Sequence, residues 1–265
     1  MYMIYDMQGN VILNVDRETF NENIDIDYEF DSATNANYTV IRIYQTKQDG
    51  TKQYPFARVP DLVSYSKSAL DVARSEKWLL TINAWGIVKD GLMIENGVLL
   101  NNSPSVRHNG SYPLTIDSNG NLSYAEADFD GEALVANGIV SSVSGFCPII
   151  VNYAPFTPPT IADTDHFAQN AQRQIIGQFG NGDYCIISCE GRNYDHSDGW
   201  TIAEAQTICQ KIGLKFAYNC DGGGSVETVL GQKQINTIYE NETGRKVGAF
   251  LVFNGTDHYF IPSEQ

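Results

Sequence analysis

The chain has 265 residues, enough for one large domain, or one domain with a small appendage, around a substantial core. Acidic residues outnumber basic ones 32 to 17, and the net charge of −15 argues against nucleic-acid binding, which usually needs a basic footprint. Residues 1–6 lack the start of a secretory signal, and no segment approaches about 18 uninterrupted apolar residues, so we expect a soluble chain that is neither exported by that route nor embedded in a membrane.

Cysteine and histidine usage limits the metal and redox chemistry. The five cysteines contain no Cys-x-x-Cys pair, and four lie in apolar runs, which predicts buried free thiols. Their odd number excludes a complete disulfide framework but leaves a single bridge open. No His-x-x-x-His spacing occurs, so we expect no cofactor and no transition metal, while a structural divalent cation held by loop oxygens stays open.

Two short β-rich runs open the chain. Met3–Tyr5 and Val11–Leu13 flank Gln8–Asn10, which is typical of a hairpin turn. We interpret residues 1–37 as a small amino-terminal β appendage and residues 38–265 as the main domain. The appendage is also where we expect contacts with further copies or with a larger assembly.

The first half of the main domain reads as a strand, a helix and a second strand. Tyr38–Tyr44 alternates β-forming residues and precedes the turn signal Gln48–Thr51, which predicts a strand and a hairpin. A helix is predicted over Asp61–Lys77, followed by a strand over Trp78–Ile82. This order places Asn83 at the end of a strand.

Loops and turns dominate the middle of the chain. Glu95–Gly97 and Ser118–Asn121 are hairpin signals. Asn152–Asn170 holds three prolines and His166, and it forms either a rim over a site or an ordinary surface excursion.

Two apolar, β-rich runs in the second half lead to acids. Tyr184–Ile187 runs toward Glu190, Ala217–Cys220 runs into Asp221, and Thr201–Ile212 between them predicts an amphipathic helix. We therefore predict an α+β fold: a mixed, largely antiparallel sheet with packed helices, preceded by the small β appendage. A carboxylate at a strand end can face a cleft, so Glu190 and Asp221 are acid/base candidates.

Three consecutive glycines follow Asp221. Their backbone freedom lets successive N–H groups point at one place, which predicts an anion-binding nest over Gly222–Ser225 with the acid at its lip. A tight hairpin, with the Asp221 side chain bonded to the amides after it, is the alternative that needs no ligand.

Several segments, in this order, resemble the phosphodiester glycosidase family, the relatives of the enzyme that removes N-acetylglucosamine from a phosphodiester on mannose. They are Ile82–Trp85, Arg173–Gly177, Glu190–Arg192, Ser197–Glu204 and Asp221–Ser225, with a closing strand after Arg245. The resemblance covers about Tyr38 to Phe253. It departs from the family pattern at Ala84-Trp85-Gly86, where a glycine and aromatic pair is usual, and at Gln174, where threonine is usual.

The resemblance implies cleavage between an anomeric carbon and a phosphodiester oxygen, on a sugar phosphodiester or a surface glycopolymer. It implies catalytic roles for Asp221, Glu190 and Arg173, whose guanidinium suits two phosphate oxygens. Substrate-binding roles fall on the following residues: Asn83, Arg192, Ser197, Gly199, Gly222, Gly223, Gly224 and Ser225.

Two further residues have competing interpretations. Glu204 is a possible catalytic acid, but Thr201–Glu204 also fits a helix capping box, and we favour the cap. His196 lies between Asp195 and Ser197, but triads are built by geometry rather than by adjacency, so only a binding role is kept for it.

Two other functions fit the same residues. Met1–Asn10 weakly resembles the start of some phage tail proteins. The first alternative is therefore a non-catalytic carbohydrate-binding or tail component. We expect a virion location for a tail protein and a cytoplasmic location otherwise. The anion nest would also serve a protein that handles nucleotides or cyclic phosphodiesters. Release of reducing sugar separates a glycosidase from the binding component, and incubation with nucleotides, followed by cleavage or tight retention, identifies the nucleotide handler.

Overall fold

The computed structural model describes residues 2–5, 11–15, 24–47, 49–87, 89–104, 112–158, 164–192, 196–236 and 244–254. The strands in this part of the chain form three sheets and a separate hairpin, and all of their pairings are antiparallel. The antiparallel architecture is confirmed. Helices are few, so the described fold is predominantly β or α+β, and the prediction of packed helices finds little support.

A seven-stranded sheet carries the centre of the molecule. Its strands, in spatial order, are β13 (Ala154–Pro155), β12 (Cys147–Val151), β16 (Phe216–Asn219), β14 (Arg173–Gln178), β15 (Tyr184–Cys189), β4 (Ala36–Ile43) and β3 (Ile24–Asp31). Every residue of β14, β15 and β16 is buried. The sequences of β15 and β16 read as apolar runs rather than as alternating ones because both faces of the sheet are covered, whereas β14 also buries Arg173, Gln174 and Gln178.

Two five-stranded sheets and a hairpin complete the β structure. The first sheet has the order β18 (Lys233–Gln234), β17 (Thr228–Leu230), β6 (Leu80–Trp85), β19 (Ala249–Phe253) and β5 (Pro55–Arg58). The second has the order β10 (Leu122–Tyr124), β9 (Leu114–Asp117), β11 (Ile139–Val143), β7 (Leu92–Glu95) and β8 (Val98–Asn102). β1 (Tyr2–Tyr5) pairs with β2 (Val11–Val15), which confirms the hairpin, while its predicted turn lies outside the described residues.

The described residues contain four α-helices: α1 (Ala69–Glu76), α2 (Gly131–Ala136), α3 (Thr164–Ala168) and α4 (Ile202–Ile212). The predicted helix over Thr201–Ile212 is confirmed as α4. The helix predicted from Asp61 is wrong at its start, because the Asp61 side chain accepts a bond from the Val63 amide and forms a local turn instead. Ser68 caps the helix at its observed beginning.

The core lies on both faces of the seven-stranded sheet. One face, with Ile41 and Ile186, packs against the five-stranded sheets through residues such as Ile82 and Leu114. The other face packs beneath α4, where Ile208 is buried. The sheet is covered on both sides, so polar groups at its strand ends are held within a rigid frame.

Other sequence-based predictions can be compared with the observed elements. The strand predicted over Tyr38–Tyr44 is confirmed as β4, and the turns at Asn96 and Gly120 are confirmed as hairpins. Asn83 lies inside β6 rather than at its end, because the strand runs to Trp85. The boundary after residue 37 stays a prediction; β3, which precedes it, pairs with β4 in the seven-stranded sheet.

Candidate active site

A cavity of about 430 Å³ lies where β14 begins and β16 ends. Antiparallel pairing of Ile175 with Asn219 brings these two strand ends together. The described lining combines three arginines, one carboxylate, the glycine turn and an aromatic rim; its members are Phe146, His166, Gln169, Ala171, Arg173, Arg192, Asn219, Cys220, Asp221, Gly222, Gly223, Gly224 and Arg245.

The glycine turn is shaped by close backbone contacts. A Cβ on Gly222 would lie 2.7 Å from the Gln172 carbonyl oxygen, and Gly223 has a φ of +58°, which L side chains rarely adopt. Gly223–Ser225 forms one 3₁₀ turn. The Gly223 amide donates to Gln172 at 2.9 Å, whereas the Gly222 and Gly224 amides have no hydrogen-bond partner among the residues that the structure describes. Two amides of the predicted nest thus stay available to an anion.

Two arginines cover the glycine turn. An added Cβ would lie 2.8 Å from Arg192 Nη2 at Gly223 and 2.6 Å from Arg245 Nη2 at Gly224. Arg245 also donates from Nη1 to Ser225 Oγ at 3.3 Å. The glycines therefore make room for two guanidinium groups above the turn. Sequence reasoning missed Arg245, because it lies 20 residues beyond Ser225 and no local motif marks it.

Arg173 is buried, with 4% of its surface exposed, and it is held by backbone carbonyl oxygens. Its Nε donates to Trp200 at 2.8 Å, and its Nη2 donates to His166 at 2.9 Å and to Gln169 at 2.6 Å. Burial lowers the pKa of Arg173 to about 10, so it is still a cation at neutral pH. Only Nη1 has no partner among the described residues. A phosphate beside Arg173 would therefore contact Nη1, because Nε and Nη2 already donate to backbone carbonyl oxygens.

Asp221 lies at the lip of the turn, as the sequence predicts. Its amide donates to the Ala84 carbonyl at 2.9 Å, and Asn83 Nδ2 donates to its carbonyl at 2.7 Å. Its carboxylate lies against Gly86, in the space that a Cβ would occupy. Asn83 therefore fixes the backbone of the turn from β6, and Gly86 supplies the room for the acid.

Other predicted residues lie outside the described lining of the cavity. Glu190 is 3% exposed and is not among the described lining residues. Buried Ser197 donates from Oγ to the Glu190 carbonyl at 3.0 Å and accepts from the Asn37 amide at 3.1 Å. A Cβ on Gly199 would lie 2.6 Å from the Ala171 carbonyl oxygen. The contacts of Ser197 and Gly199 are thus with the protein backbone.

Glu204 forms the predicted capping box. Its carboxylate accepts from the Thr201 amide at 2.7 Å, and its amide donates to Thr201 Oγ1 at 3.3 Å. His196 has a φ of +61° and accepts at its backbone carbonyl from Asn35. Neither residue is among the described lining of the cavity.

The rim of the cavity comes from the loop before β14. His166 and Gln169 line it, and the His166 ring lies 6.2 Å from the Phe146 ring. This arrangement supports the interpretation of the loop as a rim, though residues 159–163 lie outside the described part. Two aromatic rings thus lie on the lining, and Arg173 is bonded to the backbone of one of them.

Cys220 also lines the cavity, but we expect no nucleophilic role for its thiol. It is fully buried, and this burial, with a smaller contribution from Asp221, raises the pKa of its thiol far above the usual range. A thiol must lose its proton to act as a nucleophile. All five cysteines are buried and free, which confirms that prediction.

The departure at Gln174 is accommodated by a buried polar cluster. Gln174 donates to Ser188 Oγ at 3.2 Å and accepts from Thr228 Oγ1 at 3.0 Å, and the two hydroxyls lie 2.6 Å apart. Ser188 belongs to the seven-stranded sheet and Thr228 to the first five-stranded sheet. Gln174 therefore links the two sheets that meet beneath the glycine turn.

Two kinds of feature are absent from the described residues. No group of three or more His, Cys, Asp or Glu side chains there is placed to hold a metal ion. Nor does that part of the chain contain a helix long and apolar enough to cross a membrane.

The family model described as "Phosphodiester glycosidase" matches residues 64–254, a range that includes the cavity and its arginines. The chain belongs to the phosphodiester glycosidase family. The prophage-derived protein YomE of Bacillus subtilis strain 168 is 27% identical to this chain over 177 residues. That match covers 65% of this chain but only 27% of the relative.

Solved structures share the fold of this chain. The zebrafish N-acetylglucosamine-1-phosphodiester α-N-acetylglucosaminidase catalytic domain, auto-inhibited by its pro-peptide, has a TM-score of 0.68 at 15% identity, over 88% of this chain and 83% of that chain. A hypothetical protein from Synechocystis has a TM-score of 0.58 at 14% identity, over 88% and 62%.

Proposed function

We propose that this protein hydrolyses the bond between the anomeric carbon and the phosphodiester oxygen of a sugar-1-phosphodiester, releasing a free sugar and a phosphate monoester. One observation carries the proposal: three arginines and the glycine turn surround one cavity in a chain of net charge −15. Such a local cationic site opposes the overall charge and favours an anionic ligand.

The phosphate would bind at the cationic end. Arg192 and Arg245 lie over the glycine turn and present charged donors, and the Gly222 and Gly224 amides add neutral donors from below. The sugar would then extend toward Phe146 and His166 at the rim, because aromatic rings suit the apolar faces of a sugar.

The chemical step needs one carboxylate and one water. Asp221, the only carboxylate on the described lining, would take a proton from water while the water oxygen bonds to the anomeric carbon. The bond from that carbon to the phosphate oxygen breaks, and its electron pair stays on the phosphate. The arginines would stabilise the departing charge, so this leaving group needs no proton donor. Glu190 and Arg173, implied as catalytic by the family, would support the site from behind and from the rim.

We further propose that the substrate is a phosphate-linked glycopolymer of a bacterial surface. The relation to a prophage-derived protein supports this source, because a phage must pass such a surface. A tail component that binds the same polymer without cleaving it is the competing function.

The test is a panel of sugar-1-phosphodiesters that vary in sugar and in aglycone. We expect reducing sugar and phosphate monoester to appear in equal amounts with at least one member. Binding without turnover across the panel would favour the non-catalytic component. Cleavage of nucleotides or cyclic phosphodiesters, run in parallel, would favour the nucleotide-handling alternative and contradict the proposal.

A further inference from the structure

A buried carboxylate lies just beyond the glycine turn and outside the cavity. Glu227 is 1% exposed and precedes β17 directly. Nothing in the proposed chemistry uses it. A buried charge without a task would be costly, so its contacts indicate what it does.

The carboxylate of Glu227 holds the start of α1. Its Oε2 accepts from the Ala69 amide at 2.7 Å, and its Oε1 accepts from the Leu70 amide at 3.2 Å. Ser68 Oγ accepts from the next amide, that of Asp71, at 3.2 Å. Both carboxyl oxygens act as acceptors at the positive end of a helix, which is the arrangement of an ionised group.

The same residue is tied to the active-site turn. Its amide donates to Asn83 Oδ1 at 3.0 Å, and Asn83 Nδ2 donates to the Asp221 carbonyl at 2.7 Å. Gly244 lies against the carboxylate, since a Cβ there would be within 2.6 Å of three carboxyl atoms. Arg245, the next residue, reaches Gly224 and Ser225. Glu227 thus connects α1 to both the acid and the arginine of the site.

We propose that ionised Glu227 is a positioning residue that sets Arg245 and Asp221 around the cavity, so that protonation of Glu227 weakens anion binding. The proposal rests on the cavity being the anion site of the proposed function. A protonated carboxyl would turn one of its two acceptor oxygens into a donor facing an amide. The start of α1, and Gly244 beside the carboxylate, would then lose their fixed contact with Glu227.

The charges around Glu227 set the pH range. Burial raises its pKa to about 7, with the two helix amides opposing the rise and Asp71 adding to it. Among the described neighbours, Asp71 of α1 is the charge that acts on Glu227, and Asn83 of β6 is neutral. Arg245 follows Gly244 in sequence, but its guanidinium lies at Gly224.

The raised pKa of Glu227 determines how the stability of the fold depends on pH. In the unfolded chain Glu227 titrates near its usual 4.5, so its contribution to stability is present below that value and is lost as the pH rises to about 7. Ionised Glu227 therefore costs stability at the pH where we expect it to help binding. A group retained against its own stability cost indicates a functional role.

Sulfate binding, measured by calorimetry between about pH 8 and pH 6, tests the proposal, because sulfate keeps its charge over this range. We expect the affinity to fall by up to about tenfold as the pH is lowered, which is the change expected when one essential carboxylate becomes mostly protonated.

Three variants sharpen the measurement. Glu227→Gln should bind sulfate more weakly at pH 8 and lose the pH-dependent fall. Asp71→Asn should move the fall to lower pH, because it removes a charge that raises the pKa of Glu227. Ser68→Ala, the matched control, loses a cap of the same helix and should lower the melting temperature without moving the fall.

Each outcome either supports or overturns the positioning role of Glu227. If Glu227→Gln does not fold, the shift in Asp71→Asn still supports the proposal and its absence overturns it. A sulfate affinity independent of pH, or unchanged in Glu227→Gln, overturns the positioning role. No sulfate binding at any pH overturns that role together with the anion site. Sulfate binding with the expected fall, but no turnover on any phosphodiester, supports the positioning role and refutes only the proposed reaction.

Discussion

Asp221 and Glu190 follow adjacent regions of the same sheet, yet they end in different surroundings. Glu190 comes directly after the fully buried strand β15, and Asp221 follows the fully buried strand β16 after one residue, Cys220. Asp221 lines the cavity beside three glycines, while Glu190 is buried beneath Ser197 and outside the described lining. Equal positions on strands therefore do not give equal access to a ligand.

The chain after each acid makes the difference. After Asp221, the glycine turn bends under Arg192 and Arg245 and leaves its surface to the cavity. Near Glu190, a Cβ added to Gly199 would lie 3.0 Å from the Gly191 Cα. The backbone of these two glycines therefore packs closely at that strand end. Glycines serve a ligand site in the first case and chain packing in the second.

The largest expected effect separates the two acids. Asp221→Asn should lower kcat by on the order of 10²–10⁴, because an amide cannot take a proton from water. The melting temperature should change by only a few degrees, because the amide is nearly isosteric. Glu190→Gln, its matched comparison, should keep most of the rate. Steady-state kinetics with thermal melts checks both, and an inactive, fully folded Glu190→Gln protein would place Glu190 in the reaction.

The glycines provide the second test. Gly199→Ala should destabilise the fold by about 1–3 kcal/mol or more, because its φ is +82° and the new Cβ meets the Ala171 backbone. Gly224→Ala meets only the end of the Arg245 side chain, so it should raise KM with little change in stability. Urea unfolding and KM values for both variants decide this, and a Gly224→Ala variant with normal KM would remove Arg245 from binding.

Features set by neighbouring residues could be predicted from the sequence. The capping box at Thr201, the hairpin at Asn96 and the burial of β15 and β16 all follow from local pattern. The position of Asp221 at the lip of a glycine turn was also readable, because both features occupy one short segment.

Features set by distant contacts could not be predicted. Arg245 reaches the turn only through tertiary packing, and Glu227 is tied to a helix more than 150 residues earlier. The carbonyl partners of Arg173 come from α3 and from Trp200, just before α4, so residue chemistry indicated a cation but not what holds it.

Arg173 and Arg245 provide a smaller test of the cationic end. Arg173→Lys should lower stability by about 1.5–3 kcal/mol, because one ammonium cannot reach all three carbonyl oxygens that now accept charged hydrogen bonds. Arg245→Lys should leave stability nearly unchanged and raise KM. Denaturant unfolding and kinetics distinguish them, and Arg173→Lys protein with normal stability and a raised KM would reverse the two roles.

A third carboxylate, Glu204, tests whether an acid near the site can be purely structural. Its bonds with Thr201 satisfy the first turn of α4, so Thr201→Ala should cost about 0.5–2 kcal/mol of stability without changing kcat. Glu204→Gln keeps a carbonyl acceptor for the Thr201 amide and should preserve both fold and rate. Paired melts and rate measurements give the result. Stable but inactive Glu204→Gln protein would contradict the cap as its sole role, because an amide can complete the cap but cannot exchange a proton near neutral pH.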